Sequence, residues 1–162
     1  MIVVDKSGTL FFKNIKYKCA LGKNGLTNNK KEGDGCTPIG VFSLGNLYYR
    51  SDRIKNIKGS LKKIPITEKM YWCDDPISPN YNKLIKNSLN KSEKLMRKDS
   101  IYDLVIDIKY NHNPTIPHKG SAIFIHITKG DYIPTKGCIA LKKHDLLALI
   151  KEIDQKDMIK IK

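Results

Sequence analysis

Residues 122–127 read AIFIHI, an apolar run interrupted by one histidine. A run this short is far below the length of a membrane-spanning helix. Its almost wholly apolar character predicts a strand buried on both faces. Such a strand needs a chain large enough to cover it. The 162 residues, 40% of them hydrophobic, suit one domain spanning residues 1–162 with a real core.

The rest of the chain supplies short partners for that strand. Ile2–Val4, Thr9–Phe12, Tyr17–Leu21 and Val41–Leu44 read as strands between turns, punctuated by Gly22-Lys-Asn-Gly25 and Gly33-Asp-Gly35. Tyr102–Ile108 alternates over part of its length and reads as another, as do Ile139–Leu141 and Met158–Ile161. Residues 74–82 (DDPISPNYN) contain two prolines and no periodicity, so they form a loop. A short helix is expected within 84–98. Leu146, Leu147, Ile150 and Ile153 recur at helical spacing, predicting a helix over 143–154, with Asp145 placed to favour its dipole. The expected class is a β-rich α+β domain with one main C-terminal helix.

Charge narrows the partners. Lys and Arg number 30 against 16 acidic residues, a net charge of +14, which favours an anionic partner. The lysines are scattered, and no aromatic residues interleave with them as a stacking platform requires. Nucleic acid is therefore not the expected partner, and a basic nucleic-acid-binding module stands as the distant alternative. No transmembrane segment is present. Met1-Ile-Val-Val-Asp5 turns polar too early for a signal peptide. The expectation is a cytoplasmic protein, or one of the periplasm or cell envelope if the start is truncated.

The four cysteines, at 19, 36, 73 and 138, form no CxxC pair, so zinc-ribbon and redox-motif readings lose support. No metal and no cofactor are expected; a site built from His112, His126 and Cys138 matches no familiar ligand spacing. Three of the thiols read as small buried residues. Cys138 differs, because Gly137 precedes it and His126 lies upstream in the buried strand. A glycine turn at the lip of a strand exposes a nucleophile, and a nearby imidazole is expected to lower the thiol pKa and later protonate a leaving amine. Spacing alone leaves a structural His126 open.

His126 followed by Thr135-Lys-Gly-Cys138 resembles the signature of the L,D-transpeptidase catalytic-domain (YkuD-like) family, a strand His followed by Ser/Thr-x-Gly-Cys. Glu32-Gly-Asp-Gly-Cys-Thr-Pro-Ile-Gly-Val-Phe42 is similar to a second family segment. Trp72-Cys-Asp-Asp-Pro76 with Tyr81-Asn82, and Gly120–His126, resemble a compact branch without a signal peptide. Lys136 and Ala140 depart from the pattern, since many members carry His and Arg or Asn there. The resemblance implies a β-sandwich of mixed sheets, Cys138 as nucleophile and His126 as base. Backbone N–H groups of Cys138, Gly137 and Lys136 are the implied oxyanion donors. Thr135, His112, Trp72, Asp74 and Asn82 are candidate substrate contacts. The implied partners are peptidoglycan or muropeptide stem peptides. A thioester forms at the third stem residue with release of D-Ala. An amine then gives a 3→3 cross-link, or water makes the protein an L,D-carboxypeptidase of muropeptide recycling. His126 would be oriented by a backbone carbonyl.

Overall fold

The computed structural model describes residues 1–88 and 91–162. Strands occupy 35% of the chain and helix 6%, so sheets define the architecture. The strands are β1 (Ile2–Asp5), β2 (Thr9–Phe12), β3 (Ile15–Lys18), β4 (Leu26–Thr27), β5 (Thr37–Pro38), β6 (Gly40–Tyr49) and β7 (Lys63–Pro65). They continue with β8 (Tyr71–Cys73), β9 (Leu84–Ile85), β10 (Ser92–Lys94), β11 (Leu104–Ile108), β12 (Phe124–Ile127), β13 (Ile139–Leu141) and β14 (Met158–Ile161). The helix α1 covers Lys143–Glu152 and buries Leu146, Leu149 and Ile150.

The main sheet has nine strands, ordered β13-β12-β11-β6-β14-β1-β2-β3, with β7 alongside β6. It is mixed: β1–β14, β12–β13 and β6–β7 are parallel, and the remaining neighbours are antiparallel. The arrangement is β-sandwich-like. Strand β6 joins its two halves, pairing through residues 40–43 with β14 and through 44–49 with β11. Where the partner changes, the β6–β11 ladder slips between Ile106 and Ile108. Gly45 sits in that slip, and a Cβ there would collide with the Asp107 carboxylate. Asp107 is held by Lys109 at 2.7 Å and its side chain is only 1% exposed, so it cannot swing away freely. Gly45→Ala should therefore cost about 1–3 kcal/mol of stability by overpacking. A urea titration checks this; an unchanged midpoint would mean the slip absorbs a methyl group.

Alternation along the strands divides the interior into two clusters. Leu104, Ile106, Ile125, Ile127, Ile139 and Leu141 face the larger core with α1 and β1. Val105, Phe124 and Cys138 face the smaller one with Tyr48, Trp72, Leu95 and Tyr102. The period of 2 thus sends Cys138 to the side away from the main core.

Several expectations change. Among the described residues, the helix expected within 84–98 is absent: Leu84–Ile85 and Ser92–Lys94 each pair with β8 in a small sheet ordered β10-β8-β9. Residues 89 and 90 of that stretch lie outside the described residues. Cross-strand pairing to Tyr71–Cys73 outweighs a weak local helical preference. The strand expected at 17–21 is Ile15–Lys18, hairpinned to β2, and Ala20 instead forms an isolated bridge to Ala140. Strand β6 runs on to Tyr49, past Gly45.

Candidate active site

Strands β12 and β13 build the site by register. Ile125 pairs with Ile139 and His126 with Ala140, in parallel. Cys138, one residue before β13, therefore falls opposite Phe124 and diagonal to His126 on the same face. Diagonal neighbours on adjacent strands lie about 7 Å apart, within reach of an imidazole and a thiol. Cys138 is 9% exposed and His126 7% exposed, and both line one cavity of about 570 Å³.

Each side chain is fixed by a carbonyl. His126 Nδ1 lies 2.9 Å from the Ile127 oxygen. A carbonyl only accepts, so Nδ1 carries the proton and Nε2 is left as the basic nitrogen. The Cys138 thiol donates to the Ala122 carbonyl at 3.2 Å. Burial pulls the His126 pKa down from 6.5 to about 4. Burial, with the charge of Glu93 adding to it, pushes the Cys138 thiol up from 9.0 to about 12. The resting pair at neutral pH is thus a thiol and a neutral imidazole. This differs from the lowered thiol pKa expected from sequence, because burial and the Glu93 charge raise it and a neutral imidazole brings no charge to offset them.

The turn before Cys138 is tied from both sides. Thr135 Oγ1 donates to the Cys138 carbonyl at 2.6 Å, and the Gly137 N–H donates to the same hydroxyl at 3.1 Å. The Thr135 N–H donates to Leu21, and Lys23 donates to the Thr135 carbonyl, each at 2.8 Å. Gly137 has φ +140°, and a Cβ there would lie 2.8 Å from the Cys36 oxygen, so glycine is required on both counts.

Of the residues singled out in the sequence, Cys138, His126, Thr135, Lys136 and Asp74 share this cavity. Asp74 Oδ1 is buried and has no hydrogen-bond partner among the described residues; burial, then Glu32, raise its pKa. Trp72, Asn82 and His112 do not line it. Trp72 and Asn82 are each 2% exposed and bonded to one another, Nε1–H to Oδ1, at 3.0 Å. Asn82 also accepts from the Ala122 N–H at 3.0 Å and donates to the carbonyls of Tyr110 and Asn111 at 2.9 Å. Buried and satisfied, the pair braces Ala122, the residue whose carbonyl holds the thiol, and does not face the cavity as the expected substrate contacts would. His112 lines a separate cavity of about 370 Å³, with Nε2 3.5 Å from Asp107.

The cavity also takes in Lys30, Glu32, Glu93, Arg97 and Tyr102, which sequence reasoning missed. Glu32 accepts from the Tyr81 hydroxyl and, at 2.7 Å, from Ser121. Alternation from Leu104 would place Tyr102 in the main core. The chain instead turns at Tyr102 and sends it to the smaller cluster. Glu93 lies in a three-residue strand too short to show a period. Among the described residues, no group of three or more His, Cys, Asp and Glu is placed to hold a metal ion. No described helix is long and apolar enough to cross a membrane.

No curated protein and no solved structure matches the chain. The family model for the L,D-transpeptidase catalytic domain (YkuD) matches residues 1–161. That match covers every strand and the helix described above, together with the turn that carries Cys138 beside His126. The chain belongs to the YkuD family of L,D-transpeptidase catalytic domains.

Proposed function

We propose that residues 1–162 act as one catalytic unit that attacks peptidoglycan stem peptides through Cys138, with His126 as base. The observation that carries this reading is the placement of the two side chains. They lie diagonal to each other on one face of β12 and β13, in one cavity, with Nδ1 already engaged by Ile127. As Sγ bonds to the carbonyl carbon of the third stem residue, its proton passes to His126 Nε2. The scissile C–N bond then breaks, the proton goes to the departing D-Ala amine, and a thioester remains. An incoming amine or water attacks the thioester, gives its proton to His126, and the thiol is restored. Gly137 spends its N–H on Thr135, so the Cys138 and Lys136 N–H groups are the oxyanion donors. Asp74, Lys136 and Thr135 line the substrate side.

Incubation with a disaccharide-tetrapeptide tests this reading. D-Ala release with a 3→3 dimer identifies the transpeptidase, and release without dimer identifies an L,D-carboxypeptidase. Absence of both D-Ala release and dimer overturns the reading.

A further inference from the structure

Tyr102 and Glu93 line the cavity but take no part in the chemistry proposed above. The Tyr102 ring stands edge-on to the His126 imidazole, with centroids 5.3 Å apart and planes at 68°. Phe124 packs edge-on against Tyr102 in turn, at 6.0 Å. Tyr102 is 5% exposed, so its hydroxyl needs a partner. It donates to Glu93 at 2.7 Å. The Arg97 guanidinium sits 5.2 Å from the Tyr102 ring centre. Its fork is taken by Asp99 at 2.8 and 2.7 Å, and no ion pair among the described residues includes Glu93. The carboxylate is therefore available to the phenol.

The imidazole needs such support. Its one hydrogen bond among the described residues, at Nδ1, selects the tautomer. The torsion about Cβ–Cγ of a histidine is broad, so a single bond at one ring atom leaves the ring plane weakly set. A ring wedged against the imidazole edge sets that plane, and an anchored hydroxyl keeps the wedge in place.

We propose that Tyr102 is a positioning residue that aims His126 Nε2 at Cys138, and that Glu93 holds Tyr102 through its hydroxyl. This rests on the reading that His126 serves Cys138. Neither residue exchanges a proton with substrate.

The test uses the full chain carrying Tyr102→Phe, Glu93→Leu, Glu93→Gln, and Tyr102→Phe with Glu93→Leu. Tyr102→Phe and Glu93→Leu should each lower kcat for D-Ala release about tenfold and leave KM unchanged, since misaimed groups lose rate before binding. The Gln amide oxygen still accepts from the phenol, so Glu93→Gln should restore kcat to within about twofold of the parent. The double variant should be no slower than the slower single one, the signature of two residues acting through one contact. Losses that add in the double variant, that fall on KM alone, or that are as large in Glu93→Gln as in Glu93→Leu overturn the proposal. A second measurement needs no substrate: the iodoacetamide alkylation rate of Cys138 at pH 8, resolved from the other cysteines by peptide mass spectrometry. Tyr102→Phe should slow it severalfold, and an unchanged rate counts against the proposal. If the parent releases no D-Ala, the functional reading fails, while this alkylation rate still decides whether Tyr102 aims His126.

Discussion

Cys138→Ala should lower D-Ala release from a tetrapeptide stem by roughly 10⁴-fold or more, because it removes the proposed acyl carrier. The substitution removes one sulfur and leaves the backbone of the turn intact. Thr135 still accepts from Gly137 and donates to the carbonyl of residue 138. What is lost structurally is the thiol bond to Ala122 and a small volume in the lesser core. That should cost on the order of 1 kcal/mol, too little to unfold the chain. A thermal melt on the same sample separates lost chemistry from lost structure. Alanine at Cys36, the half-buried thiol on the neighbouring loop, should leave the rate unchanged. A Cys138→Ala protein that still releases D-Ala at the parental rate overturns the assignment.

His126→Asn should show two effects at once. The Asn amide can still donate toward the Ile127 carbonyl, but it cannot accept the thiol proton, so the rate should fall about 10²–10⁴-fold. Stability should also respond to acid differently. The folded pKa of His126, about 4, lies below its ordinary 6.5. The folded state therefore binds fewer protons than the unfolded one between those values, and stability falls as pH drops through that window. At about 1.4 kcal/mol per unit, the single group accounts for on the order of 3 kcal/mol between pH 6.5 and 4. Urea titrations at pH 7 and pH 4.5 should show a smaller acid loss in His126→Asn than in the parent. Equal losses would mean the imidazole is not buried neutral. At the alkaline end the sign reverses. The Cys138 thiol, pushed up to about 12, stays protonated when folded while the unfolded thiol ionises near 9.0, so stability falls as pH rises past that value.

The parts of the fold legible in the sequence are those where one period dominates. The run at 122–127, the strand at 139–141 and the helix are recognisable because burial on known faces leaves a pattern. The candidate pair stands out for a related reason: a histidine inside an apolar run and a cysteine after a glycine are both local anomalies, and the structure brings them to one cavity. Segments whose structure depends on distant partners were not legible. Residues 84–85 and 92–94 become strands only because Tyr71–Cys73 lies between them. The strand expected at 41–44 stops short of Gly45, yet the chain passes through it as a strand, with Asp107 filling the space of its missing side chain. Trp72 and Asn82 read as a loop surface, and folding turns both inward onto each other. The Tyr102–Glu93 contact joins residues nine apart through a turn that no periodicity describes.

The position of β14 bears on how the molecule is made. This strand lies between β6 and β1, antiparallel to β6 and parallel to β1, and the Lys162 N–H donates to the Val4 carbonyl at 2.9 Å. During synthesis the hairpin of β1 and β2 leaves the ribosome first of these elements, and β6 follows with β11 and β12. Until residues 158–161 emerge, those two groups have no ladder joining them and expose two raw edges where β14 will insert. A chain stalled or clipped before Met158 would keep both edges open and be prone to pair with other copies of itself. Quality control of the domain would then turn on residues 158–161, far in sequence from the β12–β13 cleft.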